Sequence, residues 1–338
     1  MHWFGSHTFF RNHHTTTGLC CAGALTLITL FFSQPVQSQA FPTKPLRILI
    51  GAAPGGGLDA TARAIHEKLS ASLGQPVVID NRPGAAGSLA GEILAKAPPD
   101  GYTLCLGAIG TFAVNYSLYK NIGYHPLKDL APITMMAEAT NVLVLHPGVS
   151  ANSVKELIAL ARAQPRRVTY GSGGAGNAPH LAAALLESMA KIELVHVPYK
   201  GAAPAMLDVM GGRVAMIFTA PPAAVPHLKT GRLKALAVTT LKRSAFLPEL
   251  PTLSEAGVPG YEVNNWYAMA ATTGTPSSTV TRLNKELVAI LASPEVKQAL
   301  FNQGVEAASS TPDALARHMK NEFEKWAALI TKAKITTE

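Results

Sequence analysis

The sequence predicts an α/β fold built from two units, and three observations lead to this prediction. Short apolar runs alternate with longer stretches of helical periodicity, a pattern typical of sheets with parallel strands. The alternation occurs twice along the chain, and in each half a glycine-rich loop follows a strand and precedes a helix. A chain of 338 residues also has room for about two domains.

The first unit opens with residues 48–63, ILIGAAPGGGLDATAR, which predict a strand, a tight loop and a helix start. The glycines remove the Cβ atoms that would keep a ligand from the backbone, and the first N–H groups of the helix have no intrahelical partner. This arrangement favours an anion, although an ordinary strand-to-helix turn has the same pattern. The loop lacks the Lys-Ser/Thr ending of a Walker A loop, so we do not expect a nucleoside triphosphate.

The remaining elements of the first unit have the order βαβαβ, which indicates parallel strands. The predicted strands are 46–50, 76–80 and 102–106, and the predicted helices are 58–73 and 88–96. Asp59 lies in the first turn of the first helix, where a carboxylate interacts favourably with the helix dipole. A structural role is therefore favoured over a catalytic one for this residue.

The second unit repeats the alternation. Its predicted strands are 142–145, 167–170, 193–197, 214–218 and 233–238, and its predicted helices are 154–163, 178–189 and 204–210. Ser153 is predicted to cap the first of these helices. Residues 261–272 are apolar and extended, and they predict a strand that returns to the first unit. Two helices, over 277–292 and 311–333, are predicted to close the chain.

Residues 1–40 predict a secretory signal peptide. Arg11 is their one charged side chain, the apolar run 18–32 follows, and residues 38–40 form a small-x-small cleavage signal. The run is shorter than the roughly 20 residues that span a bilayer, so a retained membrane anchor is the disfavoured alternative. We therefore expect a mature chain that begins near residue 41 and is exported to the periplasm.

Charge and cysteine content exclude several functions. Only Cys105 remains after the leader, within an apolar run, which indicates a small buried residue more than a nucleophile. Without Arg11 the net charge of +8 falls by one, and the remaining basic residues are dispersed, so nucleic acid is not expected as a partner. A mildly basic surface favours anionic small ligands.

Catalytic motifs are largely missing from the sequence. Gly171, Gly173 and Gly176 match the dinucleotide pattern G-x-G-x-x-G, but Glu193 lies near the start of the next strand, whereas the pattern needs an acid at its end. The sequence contains no H-E-x-x-H motif, no cysteine cluster in the mature part and no G-x-S-x-G elbow. We therefore expect no enzyme activity, no metal and no cofactor, with a dinucleotide-dependent α/β enzyme as the alternative.

Several long segments carry a family resemblance that covers essentially the whole mature chain. They include FPTKPLRILIGAAPGGGLDATAR, GQPVVIDNRPGAAGSLAGEILAKAPPDGYTL, VTYGSGGAGNAPHLAAALL and VHVPYKGAAPAMLDVMGGRVAMIF. In these segments the chain resembles the Bug family, the extracytoplasmic solute receptors of tripartite tricarboxylate transporters. The resemblance implies a two-lobed periplasmic-binding-protein (Venus flytrap) fold, each lobe a mostly parallel sheet flanked by helices. Lobe 1 would comprise 41–141 and 266–338, lobe 2 would comprise 142–265, and crossing strands would form the hinge.

The resemblance also implies a function. The protein would be a monomeric periplasmic receptor that captures a small carboxylate and delivers it, in transient contact, to the subunits of a membrane transporter. An orphan receptor used for signalling is a second alternative. Carried over residue by residue, the ligand-binding set is Ala53, Gly55, Gly56, Gly57, Asp59, Gly110 and Thr111 in lobe 1, and Ser172, Gly173, Asn177, His180 and Thr219 in lobe 2.

Two departures from the family pattern bear on the ligand. The family commonly has Pro-Phe after the first strand, where this chain has Gly51 and Ala52. Many members have Asp-Asn after the strand ending at Phe218, where this chain has Thr219 and Ala220. We therefore expect a roomier and less acidic site that accepts a bulkier or doubly anionic carboxylate.

Overall fold

Two β-sheets with flanking helices make up the part of the chain that the computed structural model describes, residues 41–55, 57–174, 176–199, 201–333 and 335–336. The predicted signal peptide, residues 1–40, lies outside the described residues. The residues from 41 onward belong to one compact unit.

The elements alternate between strands and helices along most of the chain. The strands are β1 (Leu46–Ile50), β2 (Val77–Asn81), β3 (Thr103–Ala108), β4 (Leu130–Ala139), β5 (Val142–Leu145), β6 (Thr169–Ser172), β7 (Val195–Pro198), β8 (Met216–Thr219), β9 (Lys234–Val238), β10 (Asn265–Thr272) and β11 (Glu306–Ala307). The helices are α1 (Gly57–Leu73), α2 (Ser88–Ala95), α3 (Asn115–Leu118), α4 (Val154–Ala163), α5 (Ala178–Ala190), α6 (Ala202–Met210), α7 (Pro221–Lys229), α8 (Ser277–Ala292), α9 (Pro294–Asn302) and α10 (Pro312–Ala333). None of the described helices combines the length and the apolar character needed to cross a membrane.

The first sheet has the strand order β11-β4-β10-β3-β1-β2. β1 pairs in parallel with β2 and β3, whereas β10 runs antiparallel to both β3 and β4, and β11 runs antiparallel to β4. The strands β1 to β4 therefore point the same way. As a consequence, the loops after β1, β2 and β3 all leave the sheet at one edge.

The second sheet has the strand order β7-β6-β8-β5-β9. β6 pairs in parallel with β7 and β8, and β5 is the one strand of this sheet that runs in the opposite direction. The loops after β6, β7 and β8 thus share an edge as well. After this sheet the chain returns through β10 to the middle of the first sheet, so the predicted return strand is confirmed.

The two sheets share an apolar core. One cluster of buried side chains extends from Leu49 and Cys105 in the first sheet to Tyr170 and Phe218 in the second. Cys105 is fully buried, as the sequence predicted, and burial raises the pKa of its thiol to about 12. The thiol is therefore protonated at neutral pH and packs as an apolar group.

Three elements that contain proline, β4, α7 and α9, were not predicted from the sequence. β4 contains Pro132, which lies opposite Ala270 next to a shift in the β4–β10 register, so the proline does not interrupt the sheet. α7 begins with Pro221 and Pro222, and proline is tolerated in the first turn of a helix because an N–H there has no intrahelical partner. α9 likewise begins at a proline, Pro294.

Candidate functional site

Three loops of the first sheet meet at the carboxyl edge of β1, β2 and β3. A Cβ atom at Gly51 would lie 2.7 Å from the Cα atom of Gly87, and a Cβ atom at Gly87 would lie 2.6 Å from Thr111 Oγ1. The backbones can approach this closely only because both positions lack a side chain. The structure therefore brings Gly51, Gly87 and the predicted residue Thr111, from the loops after β1, β2 and β3, beside one another.

Asp59 is buried, and its carboxylate shapes the loop after β1. It accepts hydrogen bonds from the Gly55 N–H at 2.9 Å, from Arg63 Nε at 2.8 Å and from Asn81 Nδ2 at 3.1 Å. The hydrogen bond from Arg63, above all, lowers the pKa of this carboxyl group to about 2. Because its oxygens are engaged with the protein, Asp59 positions the loop that begins α1.

The loop after β2 has an unusual backbone. Ala85 and Ala86 both have positive φ angles, of 43° and 51°, a conformation that costs an alanine about 1–2 kcal/mol. Asn115, fully buried at the start of α3, donates from Nδ2 to Ala86 O at 3.0 Å and to Ser88 Oγ at 2.8 Å. These bonds offset part of the strain and connect the loops after β2 and β3. Asn115 was not predicted from the sequence, because its partners are far away in the chain.

The loop after β6 uses its own polar groups to form a turn. Asn177 caps α5 by accepting from the His180 N–H at 3.1 Å, and His180 Nδ1 accepts from the Gly176 N–H at 2.9 Å. Pro179, in the first turn of α5, has no N–H. Most backbone donors at this helix start are therefore occupied within the loop, and His180 supports the loop structurally.

Two histidines stack beneath this loop. The rings of His180 and His196 are nearly parallel, with centroids 4.1 Å apart, and a hydrogen bond of 2.6 Å joins His196 Nε2 and Ser172 Oγ. Burial, followed by the proximity of His196, lowers the pKa of His180 to about 4, and burial also lowers the pKa of His196. Both imidazoles are neutral at pH 7. β7 ends with Val197 and Pro198, so no acidic residue stands where the dinucleotide pattern would need one.

The buried histidine predicts a pH dependence of stability. The unfolded chain binds a proton at His180 near pH 6.5, whereas the folded protein does so only near pH 4, so the free energy of unfolding falls as the pH drops between these values. From pH 6.5 to pH 5 the expected loss is about 1.5 kcal/mol. Urea unfolding of the wild type and of His180→Gln across this range measures it. An equal slope in both proteins would contradict the assignment.

The start of α6 contributes backbone donors that the sequence analysis missed. Its N-cap, Gly201, provides no side-chain cap, and Ala202 and Ala203 are exposed. A Cβ atom at Gly173 would lie 3.1 Å from the Ala202 nitrogen, so the loop after β6 lies beside this helix start. Uncapped N–H groups at a helix start attract anions. The sequence signal was Gly201 followed by Pro204 in the first turn.

A cavity of about 790 Å³ joins residues from both sheets. Gly55, in the loop after β1, forms one part of its wall, and Thr219, at the end of β8, forms another. Ala202 and Ala203 also line it. Ligand sites commonly have volumes of about 300–1,000 Å³. This cavity, with predicted residues from both halves of the chain in its wall, is the candidate ligand site.

Other contacts also join the two sets of loops. A Cβ atom at Gly176 would overlap Leu118 Cδ2, so α3 of the first half packs directly against the loop after β6. The rings of Phe246 and Phe301 stack with centroids 4.2 Å apart. The two halves thus touch at α3 and the loop after β6, and again at Phe246 and Phe301.

The predicted site residues fall into several groups. Gly57 and Asp59 lie in the first turn of α1, and Gly110 and Thr111 lie in a π-helical turn, Gly110–Val114. Ser172, Gly173, Asn177 and His180 lie between the end of β6 and the start of α5, and Ala53 is exposed in the loop after β1. Gly56 lies outside the described residues. Ala52 packs against the core of the first sheet and is not among the residues that line the cavity.

Comparison with known proteins identifies related receptors. Residues 61–335 match the family model described as tripartite tricarboxylate transporter family receptor. The structure of R. palustris Rpa4515 with adipate has 38% sequence identity and a TM-score of 0.76, and covers 88% of this chain and 99% of that chain. The periplasmic binding protein BugD has 34% identity and a TM-score of 0.74, over 88% of this chain and 100% of BugD. MatC from Rhodopseudomonas palustris with bound malate has 29% identity and a TM-score of 0.73, over 86% of this chain and 100% of MatC. The predicted two-lobed α/β fold is confirmed by these structures.

Proposed function

This chain belongs to the tripartite tricarboxylate transporter receptor family, and from that membership we propose that it is a periplasmic receptor for a small carboxylate. The family assignment made from the sequence is confirmed. In the proposed function, lobe 1 (41–141 and 266–338) and lobe 2 (142–265) close on the ligand as a monomer. The loaded receptor then delivers the ligand, in a transient contact, to the membrane subunits of a tripartite tricarboxylate-type transporter.

The observation that carries the proposal is the cavity between the loops of the two sheets. Its wall contains the uncapped start of α6 at Ala202 and Ala203, together with Thr219, whose hydroxyl can donate a hydrogen bond. None of the described residues that line it is acidic, so no side-chain carboxylate in the wall repels an anion. A carboxylate is a suitable ligand, because helix N–H groups bind anions.

The related structures support this choice of ligand class. Rpa4515 is described with adipate and MatC with bound malate, and both ligands are dicarboxylates. The predicted signal peptide in residues 1–40 supports export to the periplasm, where such a receptor meets its ligand. In this role the protein binds without chemical conversion, and it needs no cofactor.

A thermal-shift screen tests the proposed function. Mono-, di- and tricarboxylates are added singly to the mature protein, with NAD and NADP as controls for the alternative, a dinucleotide-dependent enzyme. A carboxylate present at 100 times its dissociation constant is expected to raise the free energy of unfolding by about 2.7 kcal/mol, while the dinucleotides leave it unchanged. A panel in which no carboxylate raises the melting temperature, or in which a dinucleotide does, would refute the proposal.

A further inference from the structure

The cavity has one apolar side, formed by α6 and α7. Met206, Leu207 and Met210 project into it from α6, at positions that lie on one face of a helix together with Ala202 and Ala203. Ala223 faces it from α7. Asp208, on the same helix, does not line the cavity, and its carboxylate accepts hydrogen bonds from Tyr199 Oη at 2.6 Å and from Arg213 Nε at 2.8 Å. Among the described residues that line it, the α6 side of the cavity therefore has no charged side chain.

The exposure of the Leu207 side chain is the observation that most strongly favours an apolar ligand group on the α6 side of the cavity. Its exposed fraction is 60%, the largest among the large apolar side chains in the described part of the chain. An exposed apolar surface at the wall of a cavity gains free energy when an apolar group displaces the water that covers it. A short, fully hydrophilic acid such as malate has no such group.

The length of the apolar side also exceeds what a short acid would cover. From Ala202 to Met210 the axis of α6 advances by about 12 Å, at 1.5 Å for each residue. Donors for a carboxylate are at the Ala202 end of this helix, and the apolar side chains continue away from that end. Within the lining, Thr219 and His227 carry the polar side chains. The wall thus has an anion-binding end and an apolar continuation.

We propose that the receptor takes carboxylates with an extended apolar body, aliphatic or aromatic, in preference to short hydroxy- or dicarboxylic acids. The carboxylate lies at the start of α6, and the apolar body lies along Met206, Leu207 and Met210. This inference rests on the proposed function and specifies its substrate class.

A chain-length series tests the proposal by calorimetry. Butanoate, hexanoate and octanoate are titrated into the mature protein, with malate as the short polar acid. Each added methylene that is buried is expected to tighten binding about fourfold, so octanoate should bind most tightly. If malate binds while affinity stays flat or falls with chain length, the substrate class is wrong and the receptor function stands. If none of these acids binds, the substrate class is also wrong, and the wider carboxylate screen described above decides separately whether the receptor function stands.

A substitution locates the effect on α6. Because Leu207 is exposed, Leu207→Gln removes apolar surface without opening the core. It is expected to weaken octanoate binding about tenfold, through the loss of buried apolar area, and to leave butanoate binding unchanged. Leu241→Gln is the matched control, since Leu241 is 52% exposed and lies outside the cavity lining. Equal losses for both acids, no loss for octanoate, or the same loss in the control would overturn the proposal.

Discussion

Replacing Asp59 with alanine is expected to lower the free energy of unfolding by about 3 kcal/mol, because the loop after β1 then loses the carboxylate that fixes it. The Gly55 N–H and the Asn81 amide each lose a partner, and the exposed Arg63 loses its ion pair. Carboxylate affinity is expected to fall as well, since Gly55 lies in the cavity wall. Chemical denaturation and calorimetry on the same protein measure both effects.

Asp313→Ala is the matched control for this substitution. Asp313 also lies in the first turn of a helix, α10, but it is exposed. Its loss removes only the favourable interaction with the helix dipole, about 0.5 kcal/mol. If the two variants lose equal stability, Asp59 acts only through the helix dipole, as the sequence alone suggested. Its hydrogen bonds with Gly55 and Asn81 would then contribute nothing to stability.

The lowered pKa of Asp59 gives this prediction a pH dependence. The pKa is about 2 in the folded protein and 3.8 in the unfolded chain, so the ionised carboxylate stabilises the fold at every pH above about 4. The contribution disappears as the pH falls through about 2. The stability difference between the wild type and Asp59→Ala should therefore be constant at neutral pH and shrink in acid. A difference that grows in acid would contradict the assigned direction.

Gly176→Ala is expected to destabilise the protein by about 3 kcal/mol and to weaken ligand binding. The φ angle of Gly176 is +79°, which costs an alanine about 1–2 kcal/mol. Its Cβ atom would also overlap Leu118 Cδ2, and overpacking of this kind costs about 1–3 kcal/mol. Because Leu118 belongs to α3 and Gly176 to the loop after β6, the overlap pushes the two sets of loops apart.

A second glycine separates the two causes. Gly74 has a φ angle of +67°, and a Cβ atom there would meet no atom within 4 Å beyond the adjacent residues. Gly74→Ala should therefore lower the free energy of unfolding only by the cost of the positive φ angle, about 1 kcal/mol. Adding Leu118→Ala to Gly176→Ala should make the double variant more stable than the sum of the single losses predicts. Equal losses at the two glycines would show that the contact with Leu118 does not matter.

The sequence was informative about the fold where the signal was local. The strand 142–145 and the helices 154–163 and 277–292 have the predicted bounds, since an apolar run or a helical period is visible within a few residues. Ser153 caps α4 as predicted, accepting from the Glu156 N–H. β4 and α7 were missed because their prolines are accommodated by a register shift and by a helix start, which local patterns do not distinguish from a loop.

The site was less predictable than the fold. The glycine-rich loops after β1 and β6 indicated where the backbone is accessible. They did not indicate which backbone N–H groups are already hydrogen-bonded to side chains at the start of the following helix. Asp59 accepts a hydrogen bond from the Gly55 N–H and His180 accepts one from the Gly176 N–H, so these two donors are not free for a ligand. Ala202, which was not predicted as a site residue, lies in the cavity wall. Each of these features depends on the packing of segments distant in sequence.

The central claim is that a carboxylate binds between the loops of the two sheets, and a crystal structure with the tightest acid of the panel tests it most directly. The account predicts the acid in the cavity lined by Gly55, Ala202 and Thr219, with a carboxylate oxygen hydrogen-bonded to a backbone N–H at the start of α6. Density for the acid at another place, such as the groove lined by Lys155 and Arg162, would contradict the account.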